Sequence, residues 1–203
     1  MIAAAAAGAA IGARLVALLE CPAELWAGEV HWERLAGKTI VGAIAGGWLA
    51  VELTKRALGI RRRTGDALAI PLATAIAIGR IGCFLTGIDD HTIGVATALP
   101  WGIDFGDGIP RHPMPLYEIL FLGLLIALLA RARRAGRAVE GDLFRGFVAA
   151  YFAYRLMADF AKPAACRMCG LSTIQWVAAS ALLALVPDML RWVRRTEVNS
   201  EGG

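Results

Sequence analysis

Charge is what this sequence has little of. Only 19% of its 203 residues are charged while 58% are hydrophobic, and the mean hydropathy is +0.58. Soluble domains carry about 25% charged and about 45–50% apolar residues. An ordinary water-exposed surface is therefore excluded, and lipid is the expected solvent for much of the chain. Four cysteines, Cys21, Cys83, Cys166 and Cys169, are too few for a disulfide scaffold. The net charge of +4 comes with no nucleic-acid motif, so nucleic acid is not an expected partner. There is no internal repeat. The first twenty residues lack a basic leading stretch and a convincing cleavage site, and they read as a retained hydrophobic segment rather than a signal peptide.

What is present is a series of apolar runs. A membrane-crossing helix needs roughly 20 mostly apolar residues, and candidates lie at 2–20, 39–54, 67–87, 113–131, 143–161 and 171–190. Lipid leaves no partner for an unpaired backbone, so such runs must be helical. The expected fold is an all-α polytopic membrane protein of about six transmembrane helices. It forms one domain over 1–190, followed by a basic, disordered tail over 191–203. Lys55, Arg56 and Arg61–Arg63 crowd one loop, Arg131, Arg133, Arg134 and Arg137 a second, and Arg191, Arg194 and Arg195 the tail. The alternate loops are poor in basic residues. Cytoplasmic loops carry the excess of Lys and Arg, so both termini are expected in the cytoplasm, with loops 21–38, 88–112 and 162–170 outside. Small residues at four-residue spacing, Gly42 with Gly46 and Gly79 with Cys83 and Gly87, predict close helix packing.

Against that background a few charges need a reason. Arg80 lies seven residues before Gly87 in an apolar run, which is roughly 10 Å below the outer end of its helix. Tyr151, Arg155, Asp159 and Lys162 fall within about 80° of one another on a helical wheel. Arg155 is seven residues before Lys162, and so shares the depth of Arg80. Each arginine costs about 2.5–3.5 kcal/mol at mid-membrane, and intramembrane ionisable groups mark function by default. A guanidinium is planar, always charged and bidentate, which suits a lipid phosphate. Pairing with Asp159 or Glu118 is the structural alternative. Arg111, His112, Tyr117 and Glu118 cluster at the outer start of the fourth helix. Arg111 reads as a headgroup ligand or an interfacial anchor, and His112 with Glu118 as an acid–base pair or a structural cap. Cys166 and Cys169 leave a disulfide, a metal pair or an incidental role open; a disulfide or incidental role is favoured, because two cysteines make only half a structural zinc site.

The ordered set GRIGCF (79–84), LPWGIDF (99–105), PRHPMPLYE (110–118), YRLMADFAKP (154–163) and GLSTIQW (170–176) resembles the prolipoprotein diacylglyceryl transferase family. The similarity covers roughly residues 8–190 and is most specific from 79 to 118. It implies a multi-pass enzyme of the bacterial inner membrane. Such enzymes move the diacylglyceryl group of phosphatidylglycerol onto the lipobox cysteine thiol of a preprolipoprotein, and glycerol 1-phosphate leaves. No metal or soluble cofactor is implied. Carried over residue by residue, Arg80 matches the arginine of the family's Gly-Arg-x-Gly-Asn-Phe motif, Tyr151 and Arg155 match the tyrosine and arginine of its late helix, and Asp159 and Lys162 match their acidic and basic neighbours. Together with the reading from charge and position, this makes Arg80, Arg155, Arg111 and Lys162 the expected headgroup ligands and His112, Tyr151 and Arg155 the expected catalytic residues, with Glu118, Tyr117, Asp159 and Cys83 in support.

Several positions depart from the family pattern. Cys83 stands where the family has asparagine, and Thr86 and Ile88 replace an asparagine and a glutamate. Val41 occupies the place of an important histidine, and the family's first helix, with its tyrosine, has no counterpart. A thiol of pKa about 8.5 needs a base to attack carbon well, and His112 is the remaining candidate; His31 and His91 lie in outer loops. A related membrane transferase with another lipid donor or acceptor, and a noncatalytic lipid-binding relative, stay open. A transporter is disfavoured, because no pair of broken, inverted-repeat helices is present.

Overall fold

The computed structural model describes residues 1–20, 37–60, 65–90, 92–136, 139–163 and 166–201, without the side chains of 90 and 188–201. Six α-helices account for most of them: α1 (Ile2–Leu18), α2 (Ile40–Ala57), α3 (Asp66–Thr86), α4 (Met114–Arg134), α5 (Asp142–Ala158) and α6 (Thr173–Glu201). Short 3-10 turns extend α3 over Gly87–Asp90 and α5 over Asp159–Ala161. Between α3 and α4 a two-residue antiparallel hairpin pairs β1 (Ile103–Asp104) with β2 (Pro110–Arg111). The protein is thus mainly helical, with a helix at each predicted run. α6 continues through 191–201, where the sequence predicts a disordered tail.

Among the described residues two helices are long and apolar enough to cross a membrane, α3 with its 3-10 extension and α4. The outer face of α4 presents Leu120, Leu124 and Leu128, all more than half exposed and spaced at four residues. On α3, Ile78, Ile81 and Leu85 are likewise exposed. An apolar stripe of that extent on a water-soluble protein would be an association liability. Charge, by contrast, is found inside.

α1 and α2 cross through glycine. A Cβ on Gly12 would collide with the Gly42 carbonyl, and one on Gly46 with the Gly8 carbonyl. The predicted Gly42/Gly46 seam is therefore real, and its partner is Gly8 and Gly12 on α1. The Gly79–Cys83–Gly87 spacing is not such a seam. Gly79 is exposed, and a Cβ there would meet nothing within 4 Å. The inner face of α3 is carried instead by Ala69, Ala73 and Arg80.

The feature that positions the site is at the opposite end of the bundle. Asp66 opens α3, and its carboxylate accepts from the backbone N–H of Gly141 at 2.6 Å and of Phe144 at 3.0 Å. It thereby caps α5 from another helix. Gly65 packs against the Phe144 ring so closely that a Cβ would stand 2.7 Å from it. α3 and α5 therefore start level. Arg80 is fourteen residues past Asp66, and Arg155 thirteen past Asp142. At 1.5 Å per residue both reach roughly 20 Å up the bundle.

Candidate active site

At that level the two arginines meet Glu118 of α4. Arg80 Nε lies 2.9 Å from Glu118 Oε2, and Arg155 Nη1 lies 3.3 Å from the same oxygen. The Tyr151 hydroxyl donates to the other oxygen, Oε1, at 2.7 Å. Arg155 Nη2 is 3.6 Å from Asp159 Oδ1. All five residues are buried; Glu118 is 1% exposed and Arg80 5%. Buried ions are tolerated only when paired and hydrogen-bonded, and one carboxylate here serves two cations. Pairing with Glu118, the structural alternative the sequence leaves open, is the arrangement observed.

The pairing does not saturate the guanidiniums. Each arginine offers five N–H donors in a rigid fork. Arg80 Nη1 spends one on Cys83 Sγ at 3.6 Å, a weak acceptor. The Nε groups of Arg80 and Arg155 are buried without a hydrogen bond among the described residues; the former sits near Glu118 but is not aimed at it. The Tyr154 hydroxyl is buried and has no partner among the described residues either. Such orphaned donors are rare in folded proteins and ask for an explanation. Acceptor oxygens from outside the chain would supply one.

Asp159 is held from α6. The Ser172 hydroxyl donates to Asp159 Oδ2. Ser172 also caps α6: its Oγ accepts from Gln175 N at 3.1 Å, while Gln175 Oε1 accepts from Ser172 N at 2.9 Å. This is the reciprocal capping box. Gln175 Nε2 donates further to the Leu156 carbonyl at 3.0 Å, tying α6 to the end of α5. Lys162 follows that end. Its half-buried amine makes no hydrogen bond among the described residues, and its pKa is lowered to about 7. Burial is the main cause; Arg155 and Arg80 add to it, and Glu118 and Asp159 oppose it.

His112 belongs to a neighbouring group. Its Nδ1 is 3.2 Å from the Tyr117 hydroxyl, whose oxygen accepts from Trp101 Nε1 at 2.8 Å. Its backbone pairs with the extended segment at Gly94 and Val95, and the Val95 N–H donates to the Ala161 carbonyl. Gly94 is required there, because a Cβ would stand 2.5 Å from that of His112. The predicted pairing of His112 with Glu118 is not found. Tyr117 faces the histidine, and Glu118, one residue on, turns inward to the arginines. Arg111 also stays outside the cluster. It grips Asp107 Oδ2 through Nε and Nη2 at 2.9 and 2.7 Å and holds that carboxyl below its usual pKa.

Val41 is 1% exposed within the apolar core. Cys166 is disulfide-bonded while Cys169 keeps its thiol, so the two do not bridge each other. Among the described residues no group of three or more potential ligands could hold a metal. His31, His91 and Cys21 lie outside the described residues. Tyr154, Trp101, Ser172 and Gln175 are site residues that the sequence did not single out. Only the Ser-x-x-Gln spacing at 172–175 carried a readable signal.

An apolar-faced helix bundle with charge buried inside is the pattern of a membrane-embedded helical protein. The family model for prolipoprotein diacylglyceryl transferase matches residues 1–190, and the chain belongs to that family. Curated relatives named phosphatidylglycerol–prolipoprotein diacylglyceryl transferase include those of Cupriavidus necator, 34% identical over 171 residues, and Geobacter sulfurreducens, 35% over 124. A third, from Cupriavidus metallidurans, is 36% identical over 132 residues. The matches cover 76%, 57% and 59% of this chain respectively. They cover 60%, 46% and 46% of the relatives, so the chain spans about half their length.

Proposed function

We infer that the chain is a phosphatidylglycerol–prolipoprotein diacylglyceryl transferase of the bacterial inner membrane, built from six spans with both termini cytoplasmic. The observation that carries this is the surplus of guanidinium donors at Arg80 and Arg155. In the reaction the lipobox thiolate attacks the glyceryl carbon that bears the phosphate. A C–S bond forms, the C–O bond breaks, and its electron pair leaves on glycerol 1-phosphate. The phosphate passes from one negative charge toward two, so contacts from both arginines strengthen along the reaction coordinate. Tyr151 and Asp159 fix Glu118 and Arg155 in place for that task. Lys162 adds a third basic group at the rim.

The thiol proton goes to His112. For Nε2 to accept it, Nδ1–H must donate to the Tyr117 oxygen, which can take that bond as well as the one from Trp101. Arg111 anchors the outer hairpin beside this base. One observation favours a second reading, a relative that binds lipid without transfer or uses another donor or acceptor: Val41 fills with core packing the place of the family's histidine.

The test is transfer itself. Purified protein is given labelled phosphatidylglycerol and a lipobox peptide beside Arg80→Ala and Arg155→Ala variants, and peptide mass is followed. A diacylglyceryl adduct that is lost in both variants is expected. Phosphatidylglycerol bound through Arg80 with no adduct refutes transfer and leaves the second reading.

A further inference from the structure

Tyr154 is the group for which the reaction above has no use. Its ring stacks on Phe121 with centroids 4.3 Å apart and planes 12° apart. Its hydroxyl is enclosed, yet has no hydrogen-bond partner among the described residues. Glu118, Arg155 and Arg80 all lie within electrostatic reach. A tyrosine in an apolar stack could be phenylalanine without loss, and burying its hydroxyl unpaired is unfavourable. The position is also informative. Phe121 lies three residues beyond Glu118 along α4, about 4.5 Å farther from the start of that helix. Tyr154 precedes Arg155 on α5, which runs the other way. Both rings thus lie on the hydrocarbon side of the guanidiniums. In a phospholipid, the ester carbonyls lie on the hydrocarbon side of the phosphate.

We propose that the Tyr154 hydroxyl donates a hydrogen bond to a glycerol-ester carbonyl of the phospholipid whose phosphate the arginines hold, which makes it a positioning residue that selects diester lipids. This rests on the phosphatidylglycerol reading of the site. One hydrogen bond of ordinary strength corresponds to about three- to tenfold in affinity.

The experiment uses the full chain in neutral detergent micelles. Affinities are measured for diester phosphatidylglycerol and for its diether analogue, which keeps the phosphate and lacks the carbonyls. Wild type is expected to bind the diester about three- to tenfold more tightly. Tyr154→Phe, which retains the stack on Phe121, should lose that preference and bind both lipids as wild type binds the diether. Without lipid the variant should melt roughly 2–4 °C higher, because an unsatisfied hydroxyl has been removed. Equal weakening for both lipids would overturn the carbonyl assignment in favour of the phosphate. A lower melting temperature would show that the hydroxyl has a structural partner and would overturn the proposal too. A variant that matches wild type on both lipids refutes the contact, whereas wild type that binds neither lipid refutes the phosphatidylglycerol reading itself.

Discussion

Neutralising Glu118 is the perturbation with the largest expected effect. Glu118→Gln keeps the shape of the side chain and can still accept from Tyr151, whose hydroxyl is 2.7 Å from Oε1. What it removes is the negative charge facing Arg80 Nε at 2.9 Å and Arg155 Nη1 at 3.3 Å. Asp159 then remains as the nearby carboxylate, 3.6 Å from Arg155 and already bonded by Ser172. Removing one partner of a buried ion pair costs about 3–5 kcal/mol, because the other charge stays buried. At roughly 2–4 °C per kcal/mol for a chain of this size, the apo protein should melt about 6–20 °C lower. The loss should be partly reversed by phosphatidylglycerol, whose phosphate supplies the missing charge, and not by a zwitterionic lipid of the same chains. Thermal unfolding in detergent, with and without each lipid, reads both effects. The double variant Glu118→Gln/Arg80→Met should be destabilised by less than the two single changes together, as expected for groups in direct contact. An unchanged melting temperature in Glu118→Gln would refute the idea that this carboxylate holds the two arginines in place.

Three further outcomes follow from the geometry. Asp66→Ala deletes the acceptor for Gly141 and Phe144; a lost helix cap costs about 0.5–2 kcal/mol, so melting should fall modestly and phosphatidylglycerol affinity should fall with it as the arginines lose their common level. Lys162, with a pKa of about 7, is charged below that pH and neutral above it, so its labelling by an amine-directed reagent should rise through pH 7, three units before an ordinary lysine of pKa about 10.4. Mass spectrometry of the labelled peptide checks this, and bound phosphatidylglycerol should move the midpoint upward, since an anion favours the charged amine. Gly12→Leu would drive a side chain into the Gly42 backbone, and the purified yield of folded protein should collapse, whereas Gly79→Leu, in open space, should express normally.

That the two arginines share a level was legible because helical rise is fixed: counting seven residues back from Gly87 and from Lys162 is enough. Their partner was only narrowed, to Asp159 or Glu118. α4 is apolar on nearly every side, so its pattern does not say which way Glu118 points, and a carboxylate in the interior looks the same in sequence as one at the rim. The structure decides through rotation. Tyr117 and Glu118 are adjacent and diverge by about 100°, which sends one to His112 and the other to Arg80. Tyr154 was hidden for a related reason. It is about 100° from Arg155 on the wheel, outside the face that joins Tyr151, Arg155 and Asp159, and only Phe121 on another helix draws it to the cluster. Asp66 is harder still, since the backbone it caps is 75 and 78 residues away in sequence. The Ser172–Gln175 box, being local, could have been read directly.

The departures from the family pattern fall unevenly on this architecture. Arg80, Glu118, Tyr151 and Arg155, the half assigned to the phosphate in the proposed reaction, support one another through direct contacts, so loss of any member is expected to lower stability. Val41, where the sequence reading expects the family's histidine, is packed into the hydrophobic core. In the proposed reaction the base is then His112 at the outer rim, held by backbone pairs to Gly94 and Val95 and facing the Tyr117 hydroxyl. His112→Ala should therefore reduce transfer by about 10²–10⁴-fold while leaving phosphatidylglycerol bound and the melting temperature near that of wild type. Unimpaired transfer in that variant would remove histidine chemistry from this chain's described residues altogether.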